Sequence, residues 1–386
     1  MSVTSALGFR SSGVAAGLKS TGKPDVAVVV NDGPDRHAAA VFTTNRVAAA
    51  PVHWSRQAVS DGRADAVVLN SGGANAATGH QGFQDAHATA EHAAARLGVS
   101  AGDVLVCSTG LIGLPQAMDR LLPGVTAAVE ALDVDGGDAA AQAIMTTDSV
   151  PKTAVHAGPG YTIGGMAKGA GMLAPGMATM LCVITTDAVV DPGGLHAALA
   201  EAVRTTLNRA DSDGCMSTND TVVLMASGAS GSTPDPGAFQ EGLRQVCADL
   251  ARQLIADAEG AAHEIAIRVV NATTEDAAEA VARAVARSNL FKTAVFGQDP
   301  NWGRVISAVG TVPEDVAPYD PNLLDVTFNG VQVCRNAGVG EDRDLVDLSG
   351  REVSVVIDLH AGQAEATIWT NDLTHDYVHE NSAYSS

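Results

Sequence analysis

Along the chain, short apolar runs alternate with longer Ala-rich stretches in which apolar positions recur every three or four residues. The runs 66–69, 104–107, 161–166, 179–186, 221–225 and 265–270 predict strands, and 83–97, 195–207, 238–257 and 276–287 predict helices. A regular exchange of strand for helix is the signature of an α/β fold. The last of these helices carries a start signal in Thr273-x-x-Asp276, a pair able to satisfy N–H groups that have no partner inside the helix. Towards the C-terminus the period shortens to two. Runs 325–328 and 331–334 flank Asn329-Gly330, a dipeptide that tolerates positive φ and predicts a tight hairpin. A second alternating pair, 353–359 and 364–370, follows across residues 360–363, so antiparallel strands are expected as well. Residues 133–138, "DVDGGD", and 229–237, "ASGSTPDPG", read as loops or linkers.

Composition narrows the class. The chain has 386 residues, 46% hydrophobic and 17% charged, enough for a large core or two. Its formal net charge is −21 and only 4% of residues are aromatic. A nucleic-acid binder needs basic patches and stacking platforms, so nucleic acid is excluded as a partner, as is an anionic membrane. The first twenty residues lack the continuous apolar region of a signal peptide, and no run of eighteen apolar residues occurs, so a cytoplasmic protein is expected. Five scattered cysteines (Cys107, Cys182, Cys215, Cys247, Cys334) form no CxxC pair and read as reduced, mostly buried thiols.

Several motifs look like chemistry and dissolve on inspection. Gly169-x-Gly171-x-x-Ala174 loosely resembles a dinucleotide fingerprint, but that motif needs a helix to open at its end, and Pro175-Gly176 denies it one. His375 and His379 have the spacing of two metal ligands on one helix face, without the glutamate of HExxH or an evident third ligand. A surface helix is the simpler reading. "DSDGCMSTND", residues 211–220, starts like a calcium loop, yet its glycine comes too early and no glutamate closes it, which leaves an ordinary polar turn. "CSTGLIG", residues 107–113, follows a strand and could supply a backbone N–H and a hydroxyl as an oxyanion hole, or merely turn the chain.

Thr179 sits where a glycine- and methionine-rich loop meets a strand. A threonine hydroxyl is a poor nucleophile without a base in reach, and no GxSxG-type signature is present. Cleavage between Ala178 and Thr179 would remove the objection. The freed α-amine, with an ordinary pKa of about 7.7–8.0, would then serve as base for its own hydroxyl.

The segment "GGMAKGAGMLAPGMATMLCVITTDA" resembles the processing and nucleophile region of the ornithine acetyltransferase family, the ArgJ proteins of arginine biosynthesis. "VLNSGGANAATG", "CSTGLIG", "IMTTD", "DGCMSTNDT", "FGQDPNWGR" and the final "ENSAYSS" resemble further family segments in the same order, so the likeness spans essentially the whole chain. It implies an α/β fold of the ArgJ type, with mixed sheets layered with helices, in a self-processed N-terminal-nucleophile enzyme. The chain would divide into residues 1–178 and 179–386, intertwined and assembled as an α2β2 heterotetramer. Carried over residue by residue, Ala178 and Thr179 flank the cleaved bond, Thr179 carries the acetyl group, and Thr109 and Gly110 line the oxyanion hole. Thr146, Lys168, Glu259, Asn381 and the terminal Ser386 would contact substrate. The implied reaction moves acetyl from N2-acetyl-L-ornithine to L-glutamate, without a resident cofactor or metal. The family divides between monofunctional members and bifunctional ones that also accept acetyl-CoA; the resemblance leaves both branches open, with the bifunctional one favoured. The alternative is an N-terminal-nucleophile aminopeptidase or amidase, in which water accepts the acyl group; relatives of that kind use serine where this chain has Thr179.

Overall fold

The computed structural model describes residues 2–174 and 180–383, which fall into two compact units, residues 2–208 with 215–254 and residues 209–214 with 255–383. In chain order the first unit holds β1 (Phe9–Val14), β2 (Val26–Asn31), β3 (His37–Phe42), α1 (Ala50–Ala58), β4 (Ala66–Asn70), α2 (Gly79–Leu97) and β5 (Val104–Ser108). It continues with α3 (Met118–Glu130), α4 (Gly137–Ala143), β6 (Lys152–Gly158), β7 (Tyr161–Lys168), β8 (Leu181–Thr186), α5 (Pro192–Thr205), β9 (Thr221–Ala226) and α6 (Pro236–Ala256).

Two sheets result, ordered β1-β2-β4-β5 and β3-β9-β8-β7-β6. Side-chain alternation shows how they stack. Ala27 and Val29 of β2, Val67 and Leu69 of β4, and Leu105 and Cys107 of β5 share a core with Leu181 and Val183 of β8 and Val223 and Met225 of β9. The intervening Val26 and Val28 of β2, Ala66 and Val68 of β4, and Val104 and Val106 of β5 pack instead against α2 and α3. On the far side, Cys182 and Ile184 of β8 and Val222 and Leu224 of β9 pack against α5 and α6. The unit is therefore four layers, helix, sheet, sheet and helix, and its central strands are buried on both faces. That is why β8 and β9 read as continuous apolar runs. The second sheet also interleaves the chain: β3, β6 and β7 precede residue 178, while β8 and β9 follow it.

The second unit holds β10 (Glu264–Ala272), α7 (Glu275–Ala286), α8 (Asn289–Phe296), α9 (Trp302–Val309), β11 (Asp325–Phe328), β12 (Val331–Arg335), β13 (Gly338–Val339), β14 (Glu352–Asp358), β15 (Ala364–Asn371) and α10 (His375–Ala383). Its sheet runs β13-β12-β11-β14-β10-β15. Ile265, Ile267 and Val269 of β10 and Val353, Val355 and Ile357 of β14 share one core with Ala278, Val281, Ala282 and Val285 of α7. The hairpin at Asn329-Gly330 forms as expected, with φ of 44° and 89°, the left-handed pair that a two-residue turn of this hand requires.

Three local readings are corrected. Strands β14 and β15 do not pair with each other; β10 lies between them, parallel to β14 and antiparallel to β15. Alternation fixes which face a residue takes and leaves the neighbouring strand open. The cap of α7 is Thr274 rather than Thr273: the Thr274 hydroxyl accepts the Ala277 N–H at 3.1 Å. Residues 133–138 are not a free linker, because Asp133 exchanges backbone hydrogen bonds with Ser11 and Gly137 opens α4.

Candidate active site

The site is built where three strands of the five-stranded sheet meet. Lys168, the last residue of β7, stands opposite Leu181, the first of β8, and Leu181 stands opposite Thr221, the first of β9. The chain thus leaves β7 and enters β8 at one end of the sheet. Ala178 and Thr179 fall in that connection and lie outside the described residues, as does Ser386. Met180 is described, and its N–H donates to Asp220 Oδ1 at 2.9 Å.

Lys168 is buried, and its Nζ donates to Thr109 Oγ1 at 3.3 Å. An ammonium has no lone pair to accept with, so the Thr109 proton remains available to another acceptor. Asp148 gathers the neighbouring groups: it accepts Lys152 Nζ at 2.6 Å, the Gly169 N–H at 2.6 Å and the Thr146 N–H at 2.9 Å. Burial by itself would raise this carboxyl, but the charges of Lys168 and Lys152 and the Gly169 N–H outweigh it and hold the group at about 2. Thr146, Thr109 and Lys168 therefore belong to one hydrogen-bonded neighbourhood.

Gly110 completes it. Its φ is +129°, and a Cβ there would stand 2.9 Å from Gly73 N, so a side chain is excluded both by conformation and by contact. The loop is stitched to the segment after β4 by Thr109 N–H to Asn70 O, Ala74 N–H to Leu111 O and Gly113 N–H to Ala76 O. Asn219 joins both, donating to Ala74 O and to Ser108 O. "VLNSGGANAATG" and "CSTGLIG", which follow β4 and β5 of the four-stranded sheet, thus meet "DGCMSTNDT", which precedes β9 of the five-stranded sheet, where the two stacked sheets end together.

Glu259 and Asn381 belong to the second unit, where Asn381 Nδ2 donates to Glu259 Oε2 at 2.9 Å and to Tyr377 O at 3.0 Å. Contact of α10 with Gly260 maintains the pair, since a Cβ on Gly260 would meet Tyr377 N at 2.2 Å.

Sequence reasoning missed four polar groups. Asp148 is the third residue of the Thr146 motif, "TTD", and Asp220 was absorbed into a polar turn although it is fully buried. Asn219 was overlooked in the same run. Lys19 donates to Met145 O at 2.6 Å, beside Thr146, and burial lowers its ammonium to about 8 while Asp25 opposes the shift. The polar-turn reading of residues 211–220 also needs correction at its start, where buried Asp211 receives Arg287 Nε at 2.8 Å and the Gly214 N–H at 3.1 Å.

Other candidates stay outside this neighbourhood. Among the described residues no cluster of His, Cys, Asp and Glu is placed to hold a metal ion, and no helix is long and apolar enough to cross a membrane. His375 lies on α10, its ring edge-on to Phe296 with centroids 5.5 Å apart. Burial pushes the Cys107 and Cys247 thiols up to about 12, which suppresses thiolate chemistry. A cavity of about 870 Å3, lined in part by Phe42, Arg56, Asp61, His196 and Arg204, contains none of the candidate residues.

A desolvated lysine at the end of β7 and, beyond β5 of the facing sheet, a hydroxyl with a proton to give and a side-chain-free backbone define the class, an α/β enzyme equipped for acyl transfer. A sequence profile of the ArgJ family matches residues 10–386, and the chain belongs to that family. The arginine biosynthesis bifunctional proteins ArgJ of Streptomyces coelicolor and Thermobifida fusca are each 62% identical to it over 386 residues, covering all of both chains. Among solved structures, an ornithine acetyltransferase complexed with ornithine from Mycobacterium tuberculosis is 56% identical over 45% of this chain and 94% of its own, with a TM-score of 0.45.

Proposed function

We propose that the chain is a glutamate N-acetyltransferase of arginine biosynthesis, moving acetyl from N2-acetyl-L-ornithine to L-glutamate through an ester on Thr179. The observation that carries this reading is the Lys168–Thr109 contact beside Gly110, at the sheet end where the chain enters β8. Cleavage between Ala178 and Thr179 frees an α-amine that serves as base for the Thr179 hydroxyl. The hydroxyl attacks the acetyl carbonyl, and the Thr109 O–H and Gly110 N–H receive the developing oxyanion. The carbon–nitrogen bond breaks, ornithine leaves with the proton, and the amine of glutamate then attacks the acetyl ester to regenerate the hydroxyl.

Family resemblance assigns Thr146, Lys168, Glu259, Asn381 and Ser386 to the amino-acid portions of donor and acceptor. A lysine and hydroxyls suit a substrate carboxylate, and Glu259 suits an ammonium group. No resident cofactor is needed; acetyl-CoA acts as a second acetyl donor in the bifunctional reaction. The fragments 1–178 and 179–386 remain together as an α2β2 heterotetramer in the cytoplasm, a reading supported by strands from both sides of residue 178 sharing one sheet.

Steady-state kinetics test the proposal. Parallel double-reciprocal lines for acetylornithine and glutamate are expected, with sustained ornithine release only when glutamate is present. Intersecting lines would contradict the shared acetyl-enzyme. Sustained release without glutamate would assign the chain to the amidase alternative.

A further inference from the structure

The five-stranded sheet ends at β3, and among the described residues no strand pairs with its outer edge. Ala38 turns its N–H outward, to Gly62 O at 2.8 Å, and alternation along the strand turns the N–H and C=O of Ala40 the same way. Along that edge, between α5 and the stretch formed by α1 and the turn after it, runs the cavity of about 870 Å3. Its volume is that of a small-molecule site. Val41, Val59, Ala200 and Val203 make much of its wall apolar.

One charge on the lining stands out. Arg56 lies over the Phe42 ring, 5.3 Å from the centroid, and donates to Thr43 O at 3.4 Å, with no carboxylate partner among the described residues. Arg204 is already held by Glu201 at 2.8 Å, and Asp61, beside Gly62 near the other end of β3, accepts the Arg63 N–H at 3.1 Å. On a chain of net charge −21, a guanidinium with donors to spare at the mouth of an apolar cavity attracts an anion. Phe42, beneath it, is also the point where β3 reaches the candidate active site. Phe42 stands opposite Thr221, Thr221 opposite Leu181, and Leu181 opposite Lys168. With neighbouring strands about 4.8 Å apart, Lys168 is about 14 Å across the sheet from Phe42.

We propose that this cavity holds the nucleotide end of acetyl-CoA, the second acetyl donor. The assignment rests on the acetyl-transfer reading and adds where that donor binds. The adenine lies along the β3 edge, where the outward N–H and C=O of Ala40 match a ring nitrogen and the neighbouring amino group. Arg56 takes the phosphates, and the extended pantetheine arm spans the distance to Lys168 and Thr109. There the thioester carbon–sulfur bond breaks as the ester on Thr179 forms, and CoA leaves as the thiol with the hydroxyl proton. Acetylornithine, which has no nucleotide, uses none of this cavity.

The test compares wild type with Arg56→Ala and with Ala200→Trp, which fills the cavity from α5. Donors are acetyl-CoA, acetylpantetheine (the same thioester without nucleotide or phosphate) and acetylornithine, with glutamate as acceptor, and calorimetry reads CoA binding apart from turnover. Both variants are expected to raise the KM for acetyl-CoA and the Kd for CoA roughly tenfold or more, while acetylpantetheine and acetylornithine kinetics stay unchanged. Unchanged acetylornithine transfer also shows that a variant is folded. Wild-type behaviour with acetyl-CoA in both variants, or an equal loss with all three donors, would overturn the assignment. So would a wild type that transfers acetyl from acetylornithine but neither binds CoA nor uses acetyl-CoA, and the transfer reading would then stand. CoA binding that is lost in Arg56→Ala, beside a wild type inactive with acetylornithine, would support the site and overturn that reading instead.

Discussion

In the first unit every residue of β8 and β9 is buried, whereas in the second unit β14 alternates between buried and more exposed positions along its length. The five-stranded sheet of the first unit has a layer on each face; the sheet of the second packs one face on α7 and turns the other outward, where Arg268 and Glu365 pair across β10 and β15 at 2.5 Å. The consequence is electrostatic. At the end of the covered sheet Lys152, Asp148 and Lys168 are held away from water, so their charges act strongly on one another. On the open face of the second sheet, water screens a pair of similar length.

Replacing residues in each region sharpens that contrast. The largest effect is expected for Asp148→Ala, which takes the buried counter-charge from Lys152 and the acceptor from Thr146 and Gly169. A loss of about 3–5 kcal/mol is expected in denaturant unfolding. Because the folded-state carboxyl is depressed to about 2 from an ordinary 3.8, its stabilisation is present above the ordinary value and disappears as pH falls towards 2. Acid titration of stability should therefore be shallower in Asp148→Asn than in wild type. Next comes Thr109→Val, nearly isosteric but without a donor: kcat should fall roughly a hundredfold or more, about 3 kcal/mol in the transition state. Ile267→Val, in the core of the second unit, should cost about 1 kcal/mol of stability with kcat unchanged. The smallest effect is expected for Arg268→Ala, within about 1 kcal/mol and diminishing with added salt. If Arg268→Ala cost as much as Asp148→Ala, the contrast between the two regions would collapse.

The sequence disclosed faces more readily than partners. Periodicity located β4, β5, β7, β9 and β10 within a residue or two, because burial on one or both faces leaves its own pattern. It could not reveal that β10 separates β14 from β15, since neighbouring strands are chosen by contacts distant in sequence. β1, β2, β3 and β6 escaped notice: "FRSSGV", "HAAAVF" and "KTAVHAG" mix small and polar residues that mimic loops, whereas "VAVVVN" of β2 is an apolar run that the same pattern should have disclosed. The candidate site was legible only where a motif stood out. Thr109, Gly110, Thr146 and Lys168 were named in advance and share one neighbourhood, while Asp148, Asp220 and Asn219 were hidden in polar runs. A buried carboxylate and an exposed one are the same letter, and only the fold says which has lost its water.

The central claim is that this sheet end presents a scissile bond and then a nucleophile. A denaturing mass spectrum of freshly purified protein, beside Thr179→Ala, tests it most directly. Two fragments, residues 1–178 and 179–386, are expected from wild type and neither from the variant. A single intact wild-type chain that still transfers acetyl groups would contradict the account, because Thr179 would then have no α-amine to act as its base.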